Sequence, residues 1–227
     1  MPNWVSNHVQ CANTDALSRL RDFSLIIPEH PAIALLPGLA AQHAAQLYQQ
    51  GKSWRAVATD PAFVASLDQE QKDTPAKHRL TPERAARRYL LYCKVHGCVD
   101  WYNWRCEHWG SKWNVCHYRH HGSEVWFETA LMHPWPVLEA LSRQFPAEVF
   151  SVSYADEDLG SDTGTYEMQN GKLLTGGELD DGSREAFELA FFHWGGEEDY
   201  VLRDGNYHHR DDDEAGREDT SKSAPSA

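Results

Sequence analysis

Between Cys93 and His121 the chain gathers Cys93, His96, Cys98, Cys106, His108, Cys116, His117, His120 and His121, side chains of the kind that bind zinc. A structural zinc site wants four nitrogen or sulfur ligands, usually in knuckles spaced C-x2-C or H-x3-H. Cys93-x2-His96 has that spacing, whereas Cys93-x4-Cys98 does not. The candidate ligand set is therefore Cys93, His96, Cys98, Cys106 and Cys116, with zinc as the cofactor it would take. The competing expectation is no cofactor at all, only buried small thiols and surface imidazoles.

The same stretch holds VDWYNWRCEHWGSKWNV, residues 99–115, with Trp101, Trp104, Trp109 and Trp113 among the nine tryptophans of the chain. Exposed indoles flanked by cations would stack nucleic-acid bases. The candidate binding residues on that account are Trp101, Trp104, Arg105, Trp109, Lys112 and Trp113, although Asp100 and Glu107 offset the nearby charge. The plainer alternative is a rigid wedge, because each indole can bury about 200 Å² once its N–H finds a partner. Residues 99–109 are expected to be helical, with Gly110 ending the helix in left-handed geometry.

Other chemistry finds little support. There is no phosphate-cradling Gly-rich loop, no G-x-S-x-G and no H-E-x-x-H. Asp156, Glu157, Asp158, Gly160 and Asp162 lack the spacing of a calcium loop, and a solvated loop is expected there. Arg84, Arg87 and Arg88 are expected on a solvated helix face. A formal charge of -13 argues against a general phosphate-binding surface. From Glu197 onward there are ten acids against four bases, so part of that charge is local. With five cysteines, no apolar membrane-length run and no secretory start, free thiols and the bacterial cytoplasm are expected.

The elements that must position these residues follow from pattern. Residues 3–11 form a first strand, and Asn13-Thr14-Asp15 caps a helix bearing Leu17, Leu20 and Phe23. Residues 28–97 read as an inserted helical unit, with cap-and-proline starts at Asp60-Pro61 and Thr81-Pro82. Glu124–Ala130 and Glu148–Tyr154 alternate as strands around a helix opened by Pro134-Trp135-Pro136. Asn170-Gly171 marks a tight hairpin, and Ser183–Trp194 a capped helix. The expectation is one α+β domain over residues 1–205, a ferredoxin-like antiparallel sheet with helices on one face, followed by a disordered acidic tail over 206–227.

MPNWVSN, WYNWRCEHWGSKWN, WFETALMHPWPVLEALSRQFP and SYADEDLGSDTGTYEMQNGKL together resemble the YubB ferredoxin-like domain family. The resemblance covers roughly 110 residues, leaves out the insert and tail, and implies no reaction. It implies a ferredoxin-like fold and an origin on a conjugative plasmid or phage. The family start usually reads MPNWC, whereas Val5 stands here. The expected function is that of a non-enzymatic accessory protein binding a host or defence-system protein. The alternatives are a single-stranded nucleic-acid module using the tryptophan block, and an enzyme or zinc protein using the Cys/His cluster.

Overall fold

A computed structural model describes residues 3–29, 38–97 and 101–210. The chain opens with β1 (Trp4–Gln10) and α1 (Thr14–Arg19), and five helices follow: α2 (Leu39–Gln49), α3 (Trp54–Ala58), α4 (Pro61–Glu70), α5 (Pro82–His96) and α6 (Trp101–Trp109). Next come β2 (Cys116–His121), β3 (Glu124–Ala130), α7 (Trp135–Gln144), β4 (Val149–Asp156), β5 (Gly164–Gln169) and β6 (Lys172–Glu178). The described chain closes with α8 (Arg184–Trp194), β7 (Tyr200–Arg203) and β8 (Asn206–His209). It divides into two compact units, residues 1–27 with 108–227, and residues 28–107.

The first unit is built on a six-stranded sheet in the order β2-β3-β1-β4-β5-β6, antiparallel at every pairing. The first four strands with α1 and α7 give the split βαβ order of a ferredoxin-like α+β fold, and β5 and β6 extend it. One face carries Val5, Val9, Val125, Phe127, Phe150, Val152 and Met168, all buried. Local chemistry sets the ends. Asn13 Oδ1 caps α1 by accepting from the N–H groups of Asp15 and Ala16, and Asn170 and Gly171 take positive φ in the turn between β5 and β6.

The opposite face is not left free, as the sequence pattern suggested. Helix α8 packs against β4 and β1, bringing the buried Ala186 and Ala190 to the contact. Small side chains permit close approach, and Trp194 Nε1 donates to the Ala155 carbonyl at 3.0 Å. Residues 206–209 also depart from the expected tail. They form β8, paired with β7, because Tyr207 joins Phe187, Phe191 and Tyr200 in an aromatic cluster that offsets the ordering cost. Residues 211–227 lie outside the described residues.

The second unit is helical and has its own core of Ala40, Ala41, Ala44, Val57, Phe63, Leu67, Ala85, Ala86 and Tyr89. Asp60 and Thr81 cap its helices as the cap-and-proline pattern implied, and Ser53 caps α3 without a proline. It extends past residue 97, to Glu107, since the tryptophan block is itself helical. Arg87 does not simply face solvent: its guanidinium lies 3.8 Å from the Trp54 ring centroid, with Arg55 at 4.6 Å. No described helix is long and apolar enough to cross a membrane.

Candidate functional site

The tryptophan block does not present four rings to solvent. Trp104 is 4% exposed and Trp109 1%. Trp109 Nε1 donates to the Ile27 carbonyl at 3.0 Å, and its ring meets Phe23 edge-on, as a wedge within the first unit does. Trp101 and Trp113 are half-buried. Trp113 carries Lys112 5.0 Å from its centroid and packs against Trp4. Arg105 forms a two-pronged ion pair with Glu29, at 2.8 and 2.9 Å. A charge already held this way is poorly placed to neutralise a phosphate.

The proposed metal ligands are equally dispersed in role. Cys93 is buried on α5, and Cys106 and Cys116 are half-buried. The Cys116 thiol is pushed above its usual value by burial and by the Glu128 carboxylate, and it donates to the Asn114 carbonyl at 3.6 Å. Cys98 and the His96 side chain lie outside the described residues. Among the described residues, no three His, Cys, Asp or Glu side chains are placed to share a metal ion.

A cleft of about 290 Å³ opens elsewhere, on the buried-core face of the sheet at the β3–α7 connection. Met132, His133, Trp135, Tyr154, Asp162 and Glu178 line it. Its wall is a directed chain of hydrogen bonds that starts from the fully buried Asn7. Asn7 Nδ2 donates to the Val5 carbonyl at 2.9 Å and to Thr129 Oγ1 at 3.0 Å, which turns Oδ1 toward His133. His133 Nδ1 therefore carries the proton and donates to Asn7 Oδ1 at 2.7 Å. Nε2 is left as acceptor for the Tyr166 hydroxyl at 2.8 Å. Thr129 Oγ1 passes its own proton to the Met132 carbonyl at 2.9 Å.

This network fixes a neutral imidazole. Desolvation, aided by the His193 site, lowers the His133 pKa to about 3, and burial holds the Tyr166 phenol well above its usual value. With both nitrogens engaged, His133 is not poised as a general base. The network also clamps the loop between β3 and α7, where Leu131 takes φ 79° and donates its N–H to the Asn3 carbonyl at 2.8 Å. A left-handed leucine costs on the order of 1 kcal/mol or more and persists only where the surroundings over-determine it.

The acidic side of the cleft follows from strand register. Tyr154 pairs with Gly164, and Gly164 with Glu178, in one row across β4, β5 and β6. Gly164 supplies no side chain, so the phenol ring occupies that space; a Cβ there would sit 2.6 Å from the Tyr154 hydroxyl. Tyr154 stacks on His133 with centroids 3.9 Å apart. Its pKa rises to about 12, first by burial and then by the negative charges of Glu178 and Asp162. Trp135, 37% exposed, leans on Tyr166 at 4.7 Å and forms the outer wall. Neither Asp162 nor Glu178 forms an ion pair among the described residues.

A second histidine lies on the other face. His193 of α8 bridges Ser153 Oγ and Ser6 Oγ, each at 3.0 Å. A serine beside a histidine suggests a nucleophile and its base, yet the ring is held by a second hydroxyl instead of a carboxylate. Burial, then the neighbouring His8, lowers its pKa to about 4. That makes it a weak base.

The acidic loop was legible only as charge. Asp162 lines the cleft, whereas Asp156 is 2% exposed, accepts the Asp158 N–H at 2.8 Å and has its pKa raised by burial. It is not the solvated loop residue expected. His133, Tyr154, Tyr166 and Glu178 were not singled out by sequence. No local signal marked them, because the pairing of Tyr154 with Gly164 is set by strand register.

Residues 109–215 match the family model described as the ferredoxin-like domain in Api92-like protein. The match supports a ferredoxin-like family, under that description and not the YubB one. No curated protein matches the chain. A crystal structure of a protein api92 from Yersinia pseudotuberculosis is similar at 13% identity and a TM-score of 0.38, covering 79% of this chain and 99% of that one.

Proposed function

We propose that this chain is a non-enzymatic accessory protein of a phage or plasmid that binds a basic host or defence-system protein in the bacterial cytoplasm. The observation that carries the proposal is the cleft at the β3–α7 connection, walled by aromatic rings and edged by two carboxylates without an ion-pair partner among the described residues. The overall charge of -13 adds a long-range attraction for a cationic partner. The mobile-element origin rests on the resemblance of the tryptophan-block and β3–α7 motifs to the YubB family. The burial of Trp104 and Trp109 favours a protein partner over stacked bases.

Immobilised full-length chain, challenged with nuclease-treated lysates of several bacterial hosts, tests this. The expected result is recovery of discrete basic proteins at low salt and their release at high salt, as charge complementarity requires. Recovery of no specific protein from any host, or recovery that nuclease abolishes, overturns it.

A further inference from the structure

The cleft is more selective than its net charge implies, because its acceptors and its rings converge on one small volume. Asp162 and Glu178 supply carboxylate oxygens to the same cleft as the Tyr154 hydroxyl, which forms no hydrogen bond among the described residues. Among the described residues no lysine or arginine lines the cleft, so an anion finds no counter-charge from them. An apolar ligand would cover the two carboxylates without compensating their charge, which disfavours it. The rings exclude a bare hydrated cation as the best occupant, since it leaves the Trp135 face unused. A volume of about 290 Å³ is at the small end for ligand sites and suits one side chain better than a whole cofactor.

We propose that the cleft binds an arginine side chain presented by a partner protein, with the guanidinium against Trp135 and its N–H groups shared among Asp162, Glu178 and the Tyr154 hydroxyl. Guanidinium is planar, weakly hydrated and able to donate in several directions at once, so it stacks on an indole and bridges separate acceptors. An ammonium is a compact, strongly hydrated point charge and exploits less of this geometry. The wall is ready for such a ligand. The Tyr166–His133–Asn7–Thr129 chain is complete without it, so binding need not reorder the rings. The inference rests on the reading that the chain binds a protein, and it names the residue of the partner that would enter.

The test titrates full-length 15N-labelled protein with acetyl-Gly-Arg-Gly-amide and with counterparts in which lysine or citrulline, a neutral isostere of arginine, replaces arginine. A saturable shift of the Trp135 indole N–H, assigned with Trp135→Phe, is expected for the arginine peptide. Citrulline should bind at least about tenfold more weakly, the worth of one modest charge interaction. Asp162→Asn and Glu178→Gln should each weaken arginine binding while leaving the rest of the spectrum in place. Equal binding of citrulline, equal binding of lysine, or saturable shifts that avoid Trp135 each overturn the proposal. If Asp162→Asn/Glu178→Gln protein still captures its basic partner, the cleft assignment fails while the protein-binding reading stands.

Discussion

Two histidines, one on each face of the same sheet, meet opposite fates. His133 bridges Asn7 and Tyr166, and His193 bridges Ser6 and Ser153; both are neutral rings with both nitrogens engaged. The partners of His133 fix the direction of every proton in the chain, because an amide has distinct donor and acceptor ends. The serines beside His193 rotate freely between the two roles. His133 stands at the wall of an acidic cleft, whereas His193 lies where α8 meets β1 and β4. A buried histidine is thus no sign of chemistry in itself. What distinguishes the first is the company of accessible rings and of carboxylates that form no ion pair among the described residues.

The comparison breaks most sharply at Asn7. Replacing it by leucine strands the His133 Nδ1–H and deprives Thr129 Oγ1 and the Val5 carbonyl of a donor; a loss of about 3 kcal/mol is expected. Ser153→Ala, which leaves His193 its bond to Ser6, should cost only about 1 kcal/mol. Urea unfolding of the two variants measures the contrast, and equal losses would mean that the directed network has no special worth.

Acidification sharpens it next. Both imidazoles have folded pKa values, about 3 and about 4, below the unfolded value near 6.5, so the unfolded chain binds more protons in between. Their contribution is complete above about pH 6.5 and declines as pH falls toward 4, by roughly 1–2 kcal/mol per histidine at pH 5. The raised pKa of the buried Asp156 acts in the opposite sense. His193→Gln, which can still reach both serines, should remove about half of the pH-dependent loss in unfolding experiments between pH 7 and 5. An unchanged slope would show that His193 is solvated enough to protonate in the fold.

The smallest expected effect is on stability at Gly164. Its backbone is not in the left-handed region, so alanine is tolerated there, but the new Cβ displaces the Tyr154 ring. Gly164→Ala should cost about 1 kcal/mol and yet weaken arginine-peptide binding about tenfold. Full binding with an altered Tyr154 environment would remove the phenol from the site.

Much of the fold was legible because its signals are local. Alternation marked β1, β3 and β4, Asn170-Gly171 marked the turn between β5 and β6, and Asn13, Asp60-Pro61, Thr81-Pro82 and Ser183 marked helix starts. Strand β2, CHYRHH, escaped because it carries no aliphatic residue and sits at a sheet edge, held by its pairing with β3 and by the Tyr118 hydroxyl, which donates to the Leu17 carbonyl at 3.1 Å. Strand β8 escaped because its composition is that of a tail, and only the aromatic cluster around Tyr207 makes it a strand.

The sequence by itself determined the ferredoxin-like order of strands and helices except for β2, the helical character of the insert and the acidic balance of the chain, since each depends on periodicity, capping or composition. Tertiary structure decided which face α8 covers, which tryptophans are buried and where the cleft lies. Asn7, His133, Tyr154, Tyr166 and Glu178 come from four strands and one connection, up to 171 residues apart in number. No local rule relates them. They meet because antiparallel register sets Tyr154, Gly164 and Glu178 in one row, and because a glycine in the middle of that row lets the Tyr154 ring lie across it.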